Sequence, residues 1–380
     1  MSLVLKRLLP IRSTSLLNSK LTQFQTQLRT MAIPATQTGF FFTKEQGLKY
    51  RTDIPVPKPQ AGQLLMKVNA VGLCHSDLHV IDKELECGDN YVMGHEIAGT
   101  IAELGPEVVG FKVGDRVACV GPNGCGVCKH CLTGNDNVCK TAFLDWFGLG
   151  ADGGYEEYLL VRRPRNLVKV PDNVSIEAAA AITDAVLTPY HAVKTAKIKP
   201  TSNVLVVGAG GLGGNGIQIV KAFGGKVTVL DKKQKARDQA KKLGADEVYD
   251  ELPASIEPGS FDVCLDFVSV QATYDICQKY CEPKGIIIPV GLGAPKLAID
   301  LADLDLREIT VTGTFWGTAN DLREAFELVS QGKIKPVVSH APLKELPDYI
   351  EKLKKGAYEG RVVFHPWCWF NVYNRHISIG

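Results

Sequence analysis

Four cysteines, Cys125, Cys128, Cys131 and Cys139, fall within fifteen residues as C-x2-C-x2-C-x7-C. The segment that carries them, GPNGCGVCKHCLTGNDNVC, is rich in Gly, Asn and Lys and too polar to be core. Four thiolates so spaced in a polar loop suit one tetrahedral Zn2+. The protein fills every coordination position, so this zinc is expected to be structural. The competing explanation is four exposed free thiols, an oxidation liability at such close spacing.

A second donor set lies upstream. Cys74-His75-Ser76-Asp77-Leu78-His79 is followed by Gly94-His95-Glu96. A thiolate at Cys74 and an imidazole at His95, twenty-one residues on, could bind a second zinc. That pair leaves room for a third protein ligand and an open position, the pattern of a catalytic site. His75 reads as an exposed or cofactor-edge residue. Cys119, Cys264, Cys277 and Cys281 sit in apolar patterns, where cysteine behaves as a small hydrophobe.

A third constellation suits a dinucleotide. Gly208-Ala-Gly210-Gly211-Leu-Gly213 reads G-x-G-x-x-G between an apolar strand pattern, 203–208, and helical spacing over 216–223. Gly208 permits the tight turn, and Gly210 with Gly211 lets backbone N–H groups approach a pyrophosphate. Gly213 allows close helix–strand packing. Asp231 ends the next strand, 226–230, where a carboxylate accepts the ribose hydroxyls and repels a 2′-phosphate. This favours NAD(H), although Lys232 and Lys233 follow directly and a cation there could screen a phosphate.

The elements that must position these groups fall into two kinds. Residues 33–165 are short strands punctuated by Gly and Pro. From 203 onward, strands at 261–267, 285–290 and 308–315 alternate with helical patterns at 232–243 and 271–280, which means a doubly wound parallel sheet. The chain returns to helix and strand from about 322. A length of 380 residues, 45% hydrophobic and 22% charged, fits two soluble domains with large cores. No apolar run reaches membrane-spanning length, and a net charge of +2 gives no reason to expect nucleic acid, so neither membrane nor nucleic acid is expected as a partner. Residues 1–30 carry Lys6, Arg7, Arg12, Lys20 and Arg29 and no acid, a transit-peptide composition that implies the mitochondrial matrix. If Met31 starts the folded body instead, the protein is cytoplasmic. Either compartment is reducing, so the eleven cysteines are not read as disulfides.

CHSD at 74–77, GHE at 94–96, the four-cysteine lobe and GAGGLG at 208–213, in this order, resemble the zinc-dependent medium-chain alcohol dehydrogenase family. The resemblance covers about residues 31–366. It is nearest to yeast NADH-dependent carbonyl reductases acting on secondary alcohols and ketones, through DNYVMGHEIAGT at 89–100 and Ala181 to His191. It implies an α/β fold with a mostly-β GroES-like catalytic domain and a Rossmann domain. The catalytic domain would span 31–182 and return at 322–366, with the dinucleotide domain at 183–321 and an atypical tail at 367–380. Most members of the family place a cysteine where this chain has Asp184, which becomes the third ligand of the catalytic zinc. The alternative is that Asp184 only caps a helix and Glu96 binds the metal.

By the same resemblance, Ser76 hydrogen-bonds the substrate oxygen, His79 carries its proton to the surface, and Asp77 orients His95. Thr188 packs on the nicotinamide, and Arg361 meets the pyrophosphate. Tyr91, Leu149, Leu292 and Trp316 are expected to line the pocket. The implied enzyme holds two zinc ions, uses NAD(H) on a small ketone or secondary alcohol, and pairs as a homodimer through the sheet edge at 308–315. A zinc-free quinone or enoyl reductase of the same fold, or an inactive NAD-binding protein, would lack the Cys74, His95 and four-cysteine ligands that are present here.

Overall fold

The computed structural model describes residues 33–142, 145–358 and 360–367. The leader at 1–30 and the tail beyond Trp367 lie outside the described residues. Within them, no helix is long and apolar enough to cross a membrane.

The first part of the chain is built of short strands: β1 (Thr36–Thr43), β2 (Gly47–Pro55), β3 (Leu64–Leu73), β4 (Tyr91–Val92), β5 (Glu96–Leu104), β6 (Arg116–Cys119), β7 (Tyr158–Val161) and β8 (Leu167–Lys169). β2, β1 and β4 form a small sheet. β3 lies at the centre of the larger one, and eight of its ten residues are buried. A strand covered on both faces needs such a nearly continuous apolar run, and LLMKVNAVGL supplies it.

Between the strands lies α1 (His75–Ile81), which begins as soon as β3 ends. After β8 come α2 (Ile176–Ala181), a π-helical turn at Ile182–Val186, and α3 (Leu187–Thr195), in one unbroken run. Ser175 caps its start by accepting from Ala178 N at 3.1 Å.

The second part alternates: β9 (Asn203–Val207), α4 (Gly211–Ala222), β10 (Lys226–Leu230), α5 (Gln234–Lys242), β11 (Glu247–Tyr249), β12 (Phe261–Asp266), α6 (Gln271–Tyr280), β13 (Cys281–Pro289), α7 (Leu301–Leu306) and β14 (Thr310–Val311). Its strands are all parallel, in the order β11-β10-β9-β12-β13-β14. That order reverses beside β9, and dinucleotides bind at such a switch point. The chain then runs through α8 (Ala319–Ser330), β15 (Val338–Pro342), α9 (Leu346–Lys354) and β16 (Arg361–His365). β16 pairs antiparallel with β3, Val362 opposite Leu73, so the end of the chain completes the first sheet.

Two expectations need correcting. The strand at 308–315 is only Thr310–Val311. Glu308 has a left-handed φ of 50°, and the Phe315 carbonyl is taken by Asn137 Nδ2 at 2.7 Å, which draws the chain away from the sheet. The helix expected over 216–223 begins at Gly211, so the second half of the glycine motif is helical rather than turn. Gly213 tolerates nothing larger there, because a Cβ would sit 1.8 Å from the Gly208 carbonyl oxygen.

Candidate active site

The end of β3, the start of β5 and the π turn converge on one buried point. Cys74 follows the last residue of β3 and is the N-cap of α1. Its own N–H donates to Asp77 Oδ2 at 2.9 Å. His95 precedes β5 and Glu96 opens it, opposite Gly72 in the register. Gly72 must be glycine, because a Cβ would lie 1.9 Å from Glu96 Oε2. Asp184 sits in the middle of the π turn, where Leu187 N–H reaches five residues back to Ile182 C=O. Single π turns of this kind recur at functional sites. The extra residue rotates Asp184 inward.

One donor atom from each of Cys74, His95, Glu96 and Asp184 lies within 4.8 Å of the others, and all four residues are buried. Cys74 Sγ is 3.3 Å from Asp184 Oδ2, and His95 Nε2 is 3.9 Å from the same oxygen. His95 Nε2 and Glu96 Oε2 have no hydrogen-bond partner among the described residues, and Glu96 Oε1 has only the ion pair to Arg361 at 2.9 Å. A buried thiol, an imidazole and two carboxylates facing one another are the donor set of a divalent cation, and they fit Zn2+. The possibility that Asp184 only caps a helix fails on position. It lies inside the continuous α2–π–α3 run, and its Oδ1 accepts from the Thr188 hydroxyl at 2.6 Å.

Around the donors the charges are tightly balanced. Burial works against ionisation of Asp184, but the nearby Arg361 guanidinium and His95 hold its carboxyl below the ordinary range. Burial drives the Glu96 carboxyl well above its ordinary value, and Arg361 only partly offsets this. For His95, burial disfavours the cation, yet the Asp77 carboxylate outweighs it and raises the imidazole. Asp77 Oδ1 is 3.3 Å from His95 Nδ1, and Asp77 Oδ2 also accepts from the Tyr155 hydroxyl at 3.0 Å. Tyr155 was not legible in the sequence; its partner lies 78 residues away in the chain.

Two expected residues have partners beyond the roles given them. The side chain of Arg361 is buried, 2.9 Å from Glu96 Oε1 and 3.4 Å from Asp184 Oδ2. It also donates to Leu73 O at 3.2 Å. A Cβ on Gly211 would come within 3.7 Å of Arg361 Nη1, so the guanidinium spans from the metal donors to the glycine turn. The pyrophosphate role expected of it leaves out these carboxylates. Thr188 likewise spends its hydroxyl on Asp184.

Ser76 Oγ is 3.8 Å from Cys74 Sγ, and His79, three residues along α1, has Nδ1 2.6 Å from Glu84 Oε2. Of the expected lining residues, Trp316 stands edge-on to His95 with ring centroids 5.3 Å apart. Tyr91 and Leu149 are core, and Leu292 is 62% exposed. Trp146, stacked on Phe315 at 5.2 Å, continues the aromatic wall and was not foreseen.

At the glycine turn, Gly208 has φ 85°, and Gly210 caps α4 with no side-chain partner. The space beside Gly210 is open, as a phosphate would require. Asp231 Oδ2 accepts from Ala209 N and Oδ1 from Lys233 N, both at 2.8 Å, so the carboxylate is fixed at the end of β10. Lys232 is exposed.

The four cysteines of the separate lobe also converge, with donor sulfurs within 4.8 Å of one another. Cys125 N donates to Cys139 Sγ at 3.3 Å and Cys128 N to Cys125 Sγ at 3.4 Å, which favours thiolates. Burial opposes ionisation of Cys139, but the Thr141 hydroxyl and the Cys125 N–H lower it to about 6. This set also fits zinc. Cys119, Cys264, Cys277 and Cys281 are fully buried.

A parallel sheet with a glycine turn at its switch point, joined to a buried thiolate–imidazole–carboxylate set, defines a metal-dependent nicotinamide oxidoreductase. Residues 60–172 match the alcohol dehydrogenase GroES-like domain, and residues 211–331 match the zinc-binding dehydrogenase domain. An alcohol dehydrogenase of Geobacillus stearothermophilus is 34% identical over 320 residues, 82% of this chain and 94% of that protein. An NAD-dependent alcohol dehydrogenase of Sulfurisphaera tokodaii is 34% identical over 83% of this chain and 95% of its own. The structure of acetophenone reductase from Geotrichum candidum in complex with NAD superposes with a TM-score of 0.83 at 43% identity, covering 88% of this chain and 98% of that one. The chain belongs to the zinc-type medium-chain alcohol dehydrogenase family. It is an NAD-dependent alcohol dehydrogenase and carbonyl reductase.

Asp184→Asn tests the ligand set directly. A neutral amide in place of the anion is expected to weaken zinc binding at this site at least about tenfold, since even supporting residues around a metal cost that much. Chelator competition reads the loss. Unchanged affinity would move the third ligand to Glu96.

Proposed function

We propose that this enzyme reduces ketones to secondary alcohols with NADH, and reverses the reaction with NAD, holding one catalytic and one structural zinc per chain. The observation that carries this is the reach of Arg361, which contacts Glu96 and Asp184 and also lies close to Gly211, making metal donors and cofactor turn contiguous. The similarity to a reductase named for a ketone, acetophenone, supports the substrate class. Cys74, His95 and Asp184 would hold the catalytic ion with Glu96 as a reserve carboxylate, and the four-cysteine lobe would hold the other.

When bound, zinc supplies Lewis acidity and the nicotinamide supplies the hydride. Ser76 Oγ, close to the donors, hydrogen-bonds the substrate oxygen and hands over the proton that reduction consumes. His79 restores it from solvent. Glu84 holds its Nδ1 at 2.6 Å, which leaves Nε2 for the relay. Asp77 keeps His95 oriented through Nδ1. Asp231, its carboxylate fixed by two N–H groups, repels a 2′-phosphate and selects NADH. Arg237 is held beside this carboxylate by the backbone. Its guanidinium is bound to the carbonyl oxygens of Asp231 and Lys232, both at 2.9 Å.

Metal analysis of the purified protein, with NADH and NADPH assayed across a ketone panel, tests this reading. Two zinc ions per chain and a clear NADH preference are expected, with Asp231→Ser narrowing the preference. Full activity without zinc would favour a quinone or enoyl reductase, and equal use of NADPH would overturn the role of Asp231.

The subunits are proposed to pair as homodimers through the β14 edge. Support comes from an edge strand flanked by Leu292, Leu301 and Leu306, which are 62%, 64% and 87% exposed. Light scattering should give twice the chain mass at micromolar concentration, and a monomer would refute the pairing. The basic, acid-free leader supports delivery to the mitochondrial matrix, with the cytoplasm as the compartment if translation starts at Met31. Fusing residues 1–30 to a fluorescent protein should send it to mitochondria. A cytoplasmic signal decides for Met31.

A further inference from the structure

Trp316 is held in an unusual way for a residue that merely lines a pocket. Its φ of 50° is left-handed, a conformation that costs a bulky side chain energy and persists only where the surroundings impose it. Those surroundings are visible. On one side the carbonyl of Phe315 accepts from Asn137 Nδ2 at 2.7 Å, so the four-cysteine lobe grips the preceding residue. On the other, Gly317 packs so closely on Leu187 that a Cβ would meet its Cδ1 at 2.5 Å. The indole lies over Gly121, where a Cβ would come within 2.0 Å of Trp316 Cζ2. The ring therefore has one seat.

In that seat it touches one metal donor and the residue next to another. Its edge meets the His95 ring at 5.3 Å, and its Nε1–H donates to the Thr183 carbonyl at 2.8 Å in a buried environment. Thr183 belongs to the π turn and immediately precedes Asp184. A π turn shifts the helical hydrogen-bond pattern, and Leu187 N–H goes to the Asp184 and Ile182 carbonyls rather than to Thr183. The Thr183 carbonyl receives the indole N–H as a partner from outside the helix. A buried carbonyl without a partner would favour relaxation of the turn to ordinary helix, which would swing Asp184 away from Cys74 and His95.

We propose that Trp316 is a positioning residue for the catalytic metal. Its indole N–H holds the π turn in the register that aims Asp184, while its ring steadies His95. The inference rests on the metal reading of Cys74, His95 and Asp184 given above.

Trp316→Phe keeps an aromatic side chain beside His95 and deletes the N–H together with part of the indole's volume. The test uses the full chain with zinc kept in the four-cysteine lobe and Co2+ as the probe at the second site. Relative to wild type, Trp316→Phe is expected to bind Co2+ about tenfold more weakly in chelator competition, the loss typical of a supporting group around a metal. Its ligand-field bands should also shift, and kcat should fall along with any change in KM. A variant with the wild-type cobalt spectrum and affinity, altered only in KM, overturns the proposal and leaves Trp316 as pocket wall. Should Trp316→Phe fail to fold, Gly121→Ala asks the same question by unseating the indole. A changed cobalt spectrum there supports the proposal, and an unchanged one overturns it. Wild-type protein that takes up no Co2+ at this site would instead overturn the metal reading on which the proposal stands.

Discussion

A guanidinium buried to 5% exposure can persist only if anions surround it, and Arg361 is the charge that makes this site possible. Glu96 and Asp184 are both buried and mutually repelling, and Arg361 lies within ion-pair distance of each. Removing one partner from a buried ionic cluster typically costs roughly 3–5 kcal/mol, because the charges left behind stay desolvated. The geometry of the whole catalytic region follows from satisfying this cluster. β16 must pair with β3 to deliver the arginine, Gly72 must lack a side chain to admit Glu96, and the helix must take a π turn to present Asp184.

The same cluster explains how two sheets of different design serve one reaction. The first sheet contributes Cys74, His95 and Glu96 from strand ends, which are rigid and closely spaced. The second contributes the glycine turn at its switch point. Arg361 bridges the two by lying between the carboxylates and Gly211. Asn137 and Phe315 add a second bridge, from the four-cysteine lobe to the segment that leaves the parallel sheet. That lobe does more than stabilise itself, since it braces an aromatic wall beside His95.

What the sequence made legible were features encoded over short spans. The four cysteines, CHSD, GHE and the glycine turn each fit within a few residues, and their donors converge as the spacing implied. Helix 271–280 was readable to the residue. Long-range partners were not legible. Tyr155 meets Asp77 across 78 residues, and Trp316 meets Thr183 across 133, with nothing local to signal either. The π turn was invisible too, since its sequence, ITDAV, is ordinary helix and strand material. The strand at 308–315 was overextended because apolar alternation cannot reveal that Asn137 claims the Phe315 carbonyl.

The pairing of Val362 with Leu73 also has a bearing on how the chain is made. Synthesis runs from the N-terminus, so β3 leaves the ribosome long before the strand that completes its edge. Arg361 bonds to Leu73 O across 288 residues, the longest loop closure that any residue of the site requires. Until that segment emerges, Glu96 and Asp184 have no arginine between them, and the first sheet has an open side. The parallel sheet, whose strands β9 to β14 are contiguous in sequence, has no such dependence and can close first. A chain that stops between β14 and β16 keeps every strand of the parallel sheet but lacks Arg361, and so leaves Glu96 and Asp184 without the cation that lies between them.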